Sequence, residues 1–140
     1  STLLTACSKR LKKGVLPFEE FPDEGKVSSI ESTTFDKYFS KNNRTLPDFV
    51  KIDVEGGEPD VLYGMEESLY STPVLSIEYA PQLWAENPEN VFDYLLSYEY
   101  EFFRIRPGGS LNSVSKAAIM EFDDGWYNIL VAPEELALGK

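Results

Sequence analysis

Phe49-Val50-Lys51-Ile52-Asp53-Val54-Glu55-Gly56-Gly57-Glu58 is the stretch that decides the fold. Entered after Pro47, its β-branched residues predict a strand over 49–54. Gly56 and Gly57 break that strand. Pro59 then occupies a favoured first helical position, with Glu58 and Asp60 in the electropositive first turn. Val61, Leu62, Met65 and Leu69 form the stripe that such a helix would bury. Side chains alternate along a strand, so Lys51, Asp53 and Glu55 point one way and Ile52 and Val54 the other.

Upstream, Thr33 or Thr34 can cap a short helix in which Phe35, Tyr38 and Phe39 share one face, ending at Asn42-Asn43. Downstream, Pro73 opens a strand over 74–79 and Pro81 closes it. Asn87-Pro88-Glu89 starts a further helix, with Val91, Tyr94, Leu95 and Tyr98 at helical spacing. Residues 100–105 read as a strand, Gly108-Gly109 as a turn, 117–122 as a short strand or ordered loop, and 126–131 as the last strand. Strands alternating with helices predict right-handed crossovers and a mostly parallel α/β sheet. The last strand follows without a helix between and is expected to run antiparallel. Residues 1–31 are punctuated by Pro17, Pro22 and Gly25 and read as a loop-rich segment with a strand near 27–30; residues 32–140 carry the domain.

Composition narrows the function classes. The net charge is −11, and residues 1–18 hold Lys9, Arg10, Lys12 and Lys13 with no acid, so removing their +4 leaves −15 on the remainder. Such a body is not built to bind a phosphate backbone, and no nucleic-acid partner is expected. Cys7 is the single cysteine, so no intrachain disulfide forms and a cytoplasmic setting is expected. The absence of histidine removes Ser-His-Asp and Cys-His chemistry from this chain, as well as histidine-based metal sites. No apolar run approaches the ~20 residues of a membrane-spanning helix, so no membrane partner is expected.

The chemistry is expected at the carboxyl ends of the strands, where open α/β sheets bind ligands. Asp53, Glu55, Glu58 and Glu78 are predicted to converge there. Carboxylates that close raise one another's pKa unless a cation stands nearby. Lys51, Arg104, Arg106, a divalent metal or a cationic substrate would each serve. Trp84, just beyond the 74–79 strand, is a candidate wall of the cleft, whereas Tyr94, Tyr98, Tyr100, Phe102 and Phe103 read as core and sheet face.

The stretch 49–58, continued by Val61-Leu62 and Gly64, resembles the K-I-D-V-E-G-x-E strand-turn and the x-V-L-x-G helix of FkbM-type methyltransferases. Ser32-Thr33-Thr34-Phe35-Asp36 is similar to that family's T-L-D stretch, residues 74–79 to its next strand, and Ser1-Thr2-Leu3-Leu4 to the stretch just upstream. The resemblance implies a class I, Rossmann-like sheet with an antiparallel last strand, of which this chain supplies the C-terminal half. It implies S-adenosylmethionine as cofactor and a hydroxyl on a sugar, polyketide or related small molecule as acceptor. On that reading Asp53 and Lys51 are catalytic, Glu55, Glu58, Glu78 and Trp84 bind substrate, Gly56 and Gly57 touch cofactor, and no metal ligand set is assigned. The chain has no G-x-G-x-x-G, so it reads as a truncated portion that is inactive alone.

Two other readings stay open. Asp53-Val54-Glu55 is spaced like the metal-binding acids of nucleotide-sugar transferases. Alternatively, the chain is a non-catalytic association domain, because a bare edge on the 49–54 strand invites a homodimer or cover by residues 1–30.

Overall fold

The computed structural model describes residues 32–136. The expected strand near 27–30, Cys7 and the Ser1–Leu4 match therefore lie outside the described residues.

Thr34 caps α1 (Phe35–Lys41) by accepting the Lys37 amide, and Asn42 closes it. β1 (Phe49–Ile52) follows and is two residues shorter than predicted, because the chain leaves the ladder at Asp53 to make the glycine turn. α2 (Glu58–Tyr63) is a short helix ending at Gly64, and a 3-10 turn over Ser68–Ser71 carries the rest of the apolar stripe. β2 (Val74–Tyr79) and β3 (Tyr100–Ile105) have the predicted bounds. α3 (Pro88–Leu96) lies between them, and its Asn87 cap accepts the Glu89 amide.

The C-terminal part departs from the sequence reading. A hairpin at Gly108-Gly109 returns the chain as β4 (Leu111–Val114), which the sequence reading missed. Residues read as a strand or loop form α4 (Lys116–Met120), capped by the Ser115 hydroxyl on the Ala118 amide. β5 (Tyr127–Pro133) ends the sheet.

The five strands form one mixed sheet in the order β1-β2-β5-β3-β4. Only β1 and β2 pair in parallel; β2–β5, β5–β3 and β3–β4 are antiparallel. The expectation of a mostly parallel sheet is thus corrected to a mostly antiparallel one. The cause is topological. β1, β2 and β3 do point the same way, but β5 runs against them and inserts between β2 and β3, and the β4 hairpin adds a further antiparallel edge. The antiparallel last strand was legible; its central position was not.

One face of the sheet carries the main core. Ile52, Leu75, Ile77, Tyr79, Tyr100, Phe102, Ile129 and Val131 meet Phe35, Leu62, Leu69, Val91, Leu95 and Ile119 from the helices and turn. Phe103, Leu130 and Ala132 form a smaller cluster of strand residues with Val74 and Ile105. Full burial of each large apolar side chain contributes about 1.5–3 kcal/mol, so the first face dominates stability. Its alternation with the second face aims Lys51, Asp53 and Glu78 away from the main core.

Candidate functional site

β1 and β2 end at the same edge of the sheet, and Ile52 is paired with Ile77 there. Asp53 and Glu78 are the next residues along. Asp53, Glu55 and Glu78 each place a carboxylate oxygen within 4.8 Å of the other two. Three of the four predicted acids therefore converge. A gap of that size between three carboxylates suits a cation or the hydroxyl hydrogens of a polyol.

Lys51, two residues back on the same side of β1, donates to Asp53 at 2.5 Å. The ammonium beside it, first by its hydrogen bond, holds the Asp53 carboxyl below the usual aspartate range, and the Lys51 pKa rises in return. Glu78 moves the other way. Partial burial, then the neighbouring Asp53 and Glu55 carboxylates, raise its pKa. Adjacent acids pushed apart in this manner lose their protons in sequence, Asp53 before Glu78. Glu55 adopts φ 54 and Gly56 φ 98, so the left-handed turn after β1 swings the Glu55 carboxylate back over the edge.

Glu58 is not in this cluster. It is 1% exposed and accepts the Val54 amide at 2.8 Å, the Gly56 amide at 3.0 Å and the Trp84 indole N–H at 3.1 Å. The expected fourfold convergence is corrected to threefold, because Glu58 is consumed by donors that the turn would otherwise bury unpaired. Trp84 is likewise buried, between Tyr79 and Phe92, rather than lining an open cleft. A Cβ on Gly56 would stand 2.7 Å from the Leu83 carbonyl oxygen, and one on Gly57 3.3 Å from Val54 Cγ2. The two glycines permit close packing of the chain on itself, with Leu83 lying against Gly56.

Arg104 and Arg106 are not placed against the acids by any ion pair among the described residues. The Arg104 guanidinium lies 5.0 Å from the ring centres of both Phe122 and Tyr127.

Asp36 closes the Ser32-Thr33-Thr34-Phe35-Asp36 stretch. It accepts the Glu67 amide at 2.8 Å, the Ser68 amide at 3.0 Å and the Ser68 hydroxyl, tying α1 to the 3-10 turn. No local signal reveals this, since the partners lie 31 and 32 residues away. An open groove of about 460 Å³ beside it, lined by Phe39, Arg44 and Leu46 among others, holds none of the predicted site residues.

The family model of the methyltransferase FkbM domain matches residues 6–102. That span holds α1, β1, α2, β2, α3 and the three converging acids, and stops inside β3. No curated protein and no solved structure matches the chain. No helix among the described residues is long and apolar enough to cross a membrane. Such a domain implies S-adenosylmethionine, and no site for it is shown by the described residues. The glycine turn is closed by Leu83, and every buried side-chain polar atom among them already has a partner.

Proposed function

The chain belongs to the FkbM methyltransferase family, and from that premise we propose that it serves methyl transfer to a hydroxyl of a sugar or other small molecule. The observation that carries this reading is the convergence of Asp53, Glu55 and Glu78 at the strand edge, with Lys51 on Asp53. An acceptor hydroxyl needs a partner that takes its hydrogen bond and then its proton while holding its oxygen in line. Asp53, kept ionised by Lys51, is that group. Glu55 and Glu78 hold neighbouring hydroxyls and so favour a polyol over a lone alcohol. Glu58 and Trp84 act through the turn they hold, and Gly56 and Gly57 through its shape.

The chain is not sufficient for this reaction by itself. These 140 residues contain no glycine-rich dinucleotide loop, and we infer that they do not hold the cofactor unaided. We further propose that residues 32–140 supply the acceptor side of the site and residues 1–31 a loop-rich N-terminal segment. The setting is cytoplasmic, without nucleic-acid or membrane partners, and β1, terminal in the sheet among the described residues, supports a homodimer through its edge.

Two titrations test this. Calorimetry with S-adenosylhomocysteine is expected to give no heat of binding; micromolar binding would overturn the sufficiency statement. NMR titration with myo-inositol is expected to shift the amides of Asp53, Glu55 and Glu78 saturably, and unmoved amides would sink the polyol reading. The three-carboxylate gap also favours a second reading, a metal-dependent nucleotide-sugar transferase. Binding of a nucleotide-sugar only in the presence of Mn²⁺ would select it.

A further inference from the structure

Four tyrosines form an unbroken ladder on the helical side of the molecule, away from the acids. Tyr63 ends α2, Tyr94 and Tyr98 stand four residues apart on and just beyond α3, and Tyr70 lies in the 3-10 turn. Ring centres are 5.0 Å apart for Tyr63–Tyr94, 5.1 Å for Tyr94–Tyr98 and 4.9 Å for Tyr98–Tyr70, each pair edge-to-face. The inner pair backs onto the main core. The outer pair does not: Tyr70 is 77% exposed and Tyr63 is 39% exposed.

Rings so exposed add little to folding through burial. A single exposed aromatic needs no explanation, but two exposed rings joined through two half-buried ones make a patch. Tyrosine is enriched where proteins meet, because it offers a large rigid surface at low entropic cost. The charged groups that act on Tyr63 and Tyr94 are carboxylates. Burial and then the Glu86 and Asp60 carboxylates raise the Tyr63 pKa. Burial, then the Tyr98 hydroxyl and then Glu66 and Asp36, raise that of Tyr94. Asp60 and Glu86 are half-buried and Glu66 is exposed, and none of the three is in an ion pair among the described residues.

Aromatic faces rimmed by carboxylates that lack a cationic partner among the described residues suit one ligand group above others. A guanidinium stacks on a ring and bonds a carboxylate with its edge. The chain uses its own arginines in the first of these ways, Arg44 over Tyr38 at 5.4 Å and Arg104 over Phe122 and Tyr127. No described arginine lies over the ladder. We propose that the Tyr63–Tyr94–Tyr98–Tyr70 ladder is a docking surface for an arginine-bearing peptide segment of a partner protein.

The test uses the whole chain and two blocked pentapeptides, Gly-Arg-Gly-Arg-Gly and its lysine counterpart, at physiological ionic strength. The arginine peptide is expected to bind several-fold tighter and to shift the Tyr63 and Tyr70 ring resonances. Tyr70→Ser and Tyr63→Ser leave the net charge unchanged and touch the least buried rings, so folding should persist. Each is expected to weaken the arginine peptide about threefold, with the lysine peptide little affected. Glu66→Gln should weaken both peptides. Equal affinity for the two peptides, or serine variants that bind as wild type, would mean attraction by charge alone and overturn the proposal. So would the absence of binding together with concentration-dependent dimerisation abolished by Tyr70→Ser, which would assign the ladder to a second copy.

Discussion

Asp53 and Glu58 stand in the same turn, five residues apart, and have opposite fates. Asp53 remains solvent-accessible at the strand edge, shares its surroundings with Glu55 and Glu78, and has one cationic partner. Glu58 is inside, with two amides and an indole donating to it. A buried carboxylate is tolerated only when its lone pairs are filled, and then it is expensive to disturb. An exposed cluster of like charges is cheap to disturb, and it is the arrangement left free for a ligand. The turn thus divides its acids between holding the fold and standing exposed at the strand edge.

Glu58 carries the largest expected effect. Glu58→Ala would leave the buried Trp84 indole and two half-buried amides unpaired and is expected to destabilise the chain by about 3–5 kcal/mol. Urea unfolding monitored by tryptophan fluorescence measures this, and a loss under about 1 kcal/mol would mean that the buried carboxylate is not what holds the turn. Gly56→Ala comes next, at about 2 kcal/mol, since φ 98 is strained for alanine and its Cβ meets the Leu83 carbonyl. An unchanged midpoint in the same experiment would show that the Leu83 backbone moves aside.

The exposed side is sharpened by titration. The Glu78 pKa is raised in the fold, so the stability linked to it is full at low pH and is lost as pH rises through its folded value. The Asp53 pKa is lowered, so its contribution is present above the ordinary aspartate range and is lost as pH falls through its folded value. Carboxyl ¹³C NMR should show Asp53 titrating below Glu78. Asp53→Asn should lower the Glu78 midpoint only part of the way, because burial is the larger cause. A full return to the ordinary glutamate value would reverse that ranking. The smallest effect is expected from Lys51→Met. Its ion pair is exposed and screened, so stability should change by no more than about 0.5 kcal/mol, while the Asp53 midpoint rises. An unmoved Asp53 midpoint would mean that Lys51 does not set the charge of that group.

Much of the fold was legible where local patterns are strong. Pro73 and Pro81 bracket β2, Asn87-Pro88 starts α3, and the run from Tyr100 is apolar enough to mark β3. The short elements were harder. Lys116–Met120 is a single capped turn of helix, too short for a period to show, and Leu111–Val114 is an exposed edge strand with no buried alternation. At the site, alternation along β1 put Lys51 and Asp53 on one side and the structure pairs them. Alternation says nothing beyond the end of a strand, so it could not tell that Glu55 swings out and Glu58 swings in.

By itself the sequence determined the family, the alternation of helix and strand through residue 105, and the edge at which the acids gather. Those properties rest on nearest-neighbour chemistry: side-chain period, proline and glycine positions, and a ten-residue motif. Only the tertiary structure decided that β5 inserts between β2 and β3, turning an expected parallel sheet into a mostly antiparallel one. It alone decided that Glu58 is consumed by Trp84 and the turn amides, that Leu83 fills the space beside Gly56, and that four tyrosines from three elements meet in a ladder. Each of these depends on which distant groups compete for the same donors and the same volume. That competition exists only once the chain has closed on itself.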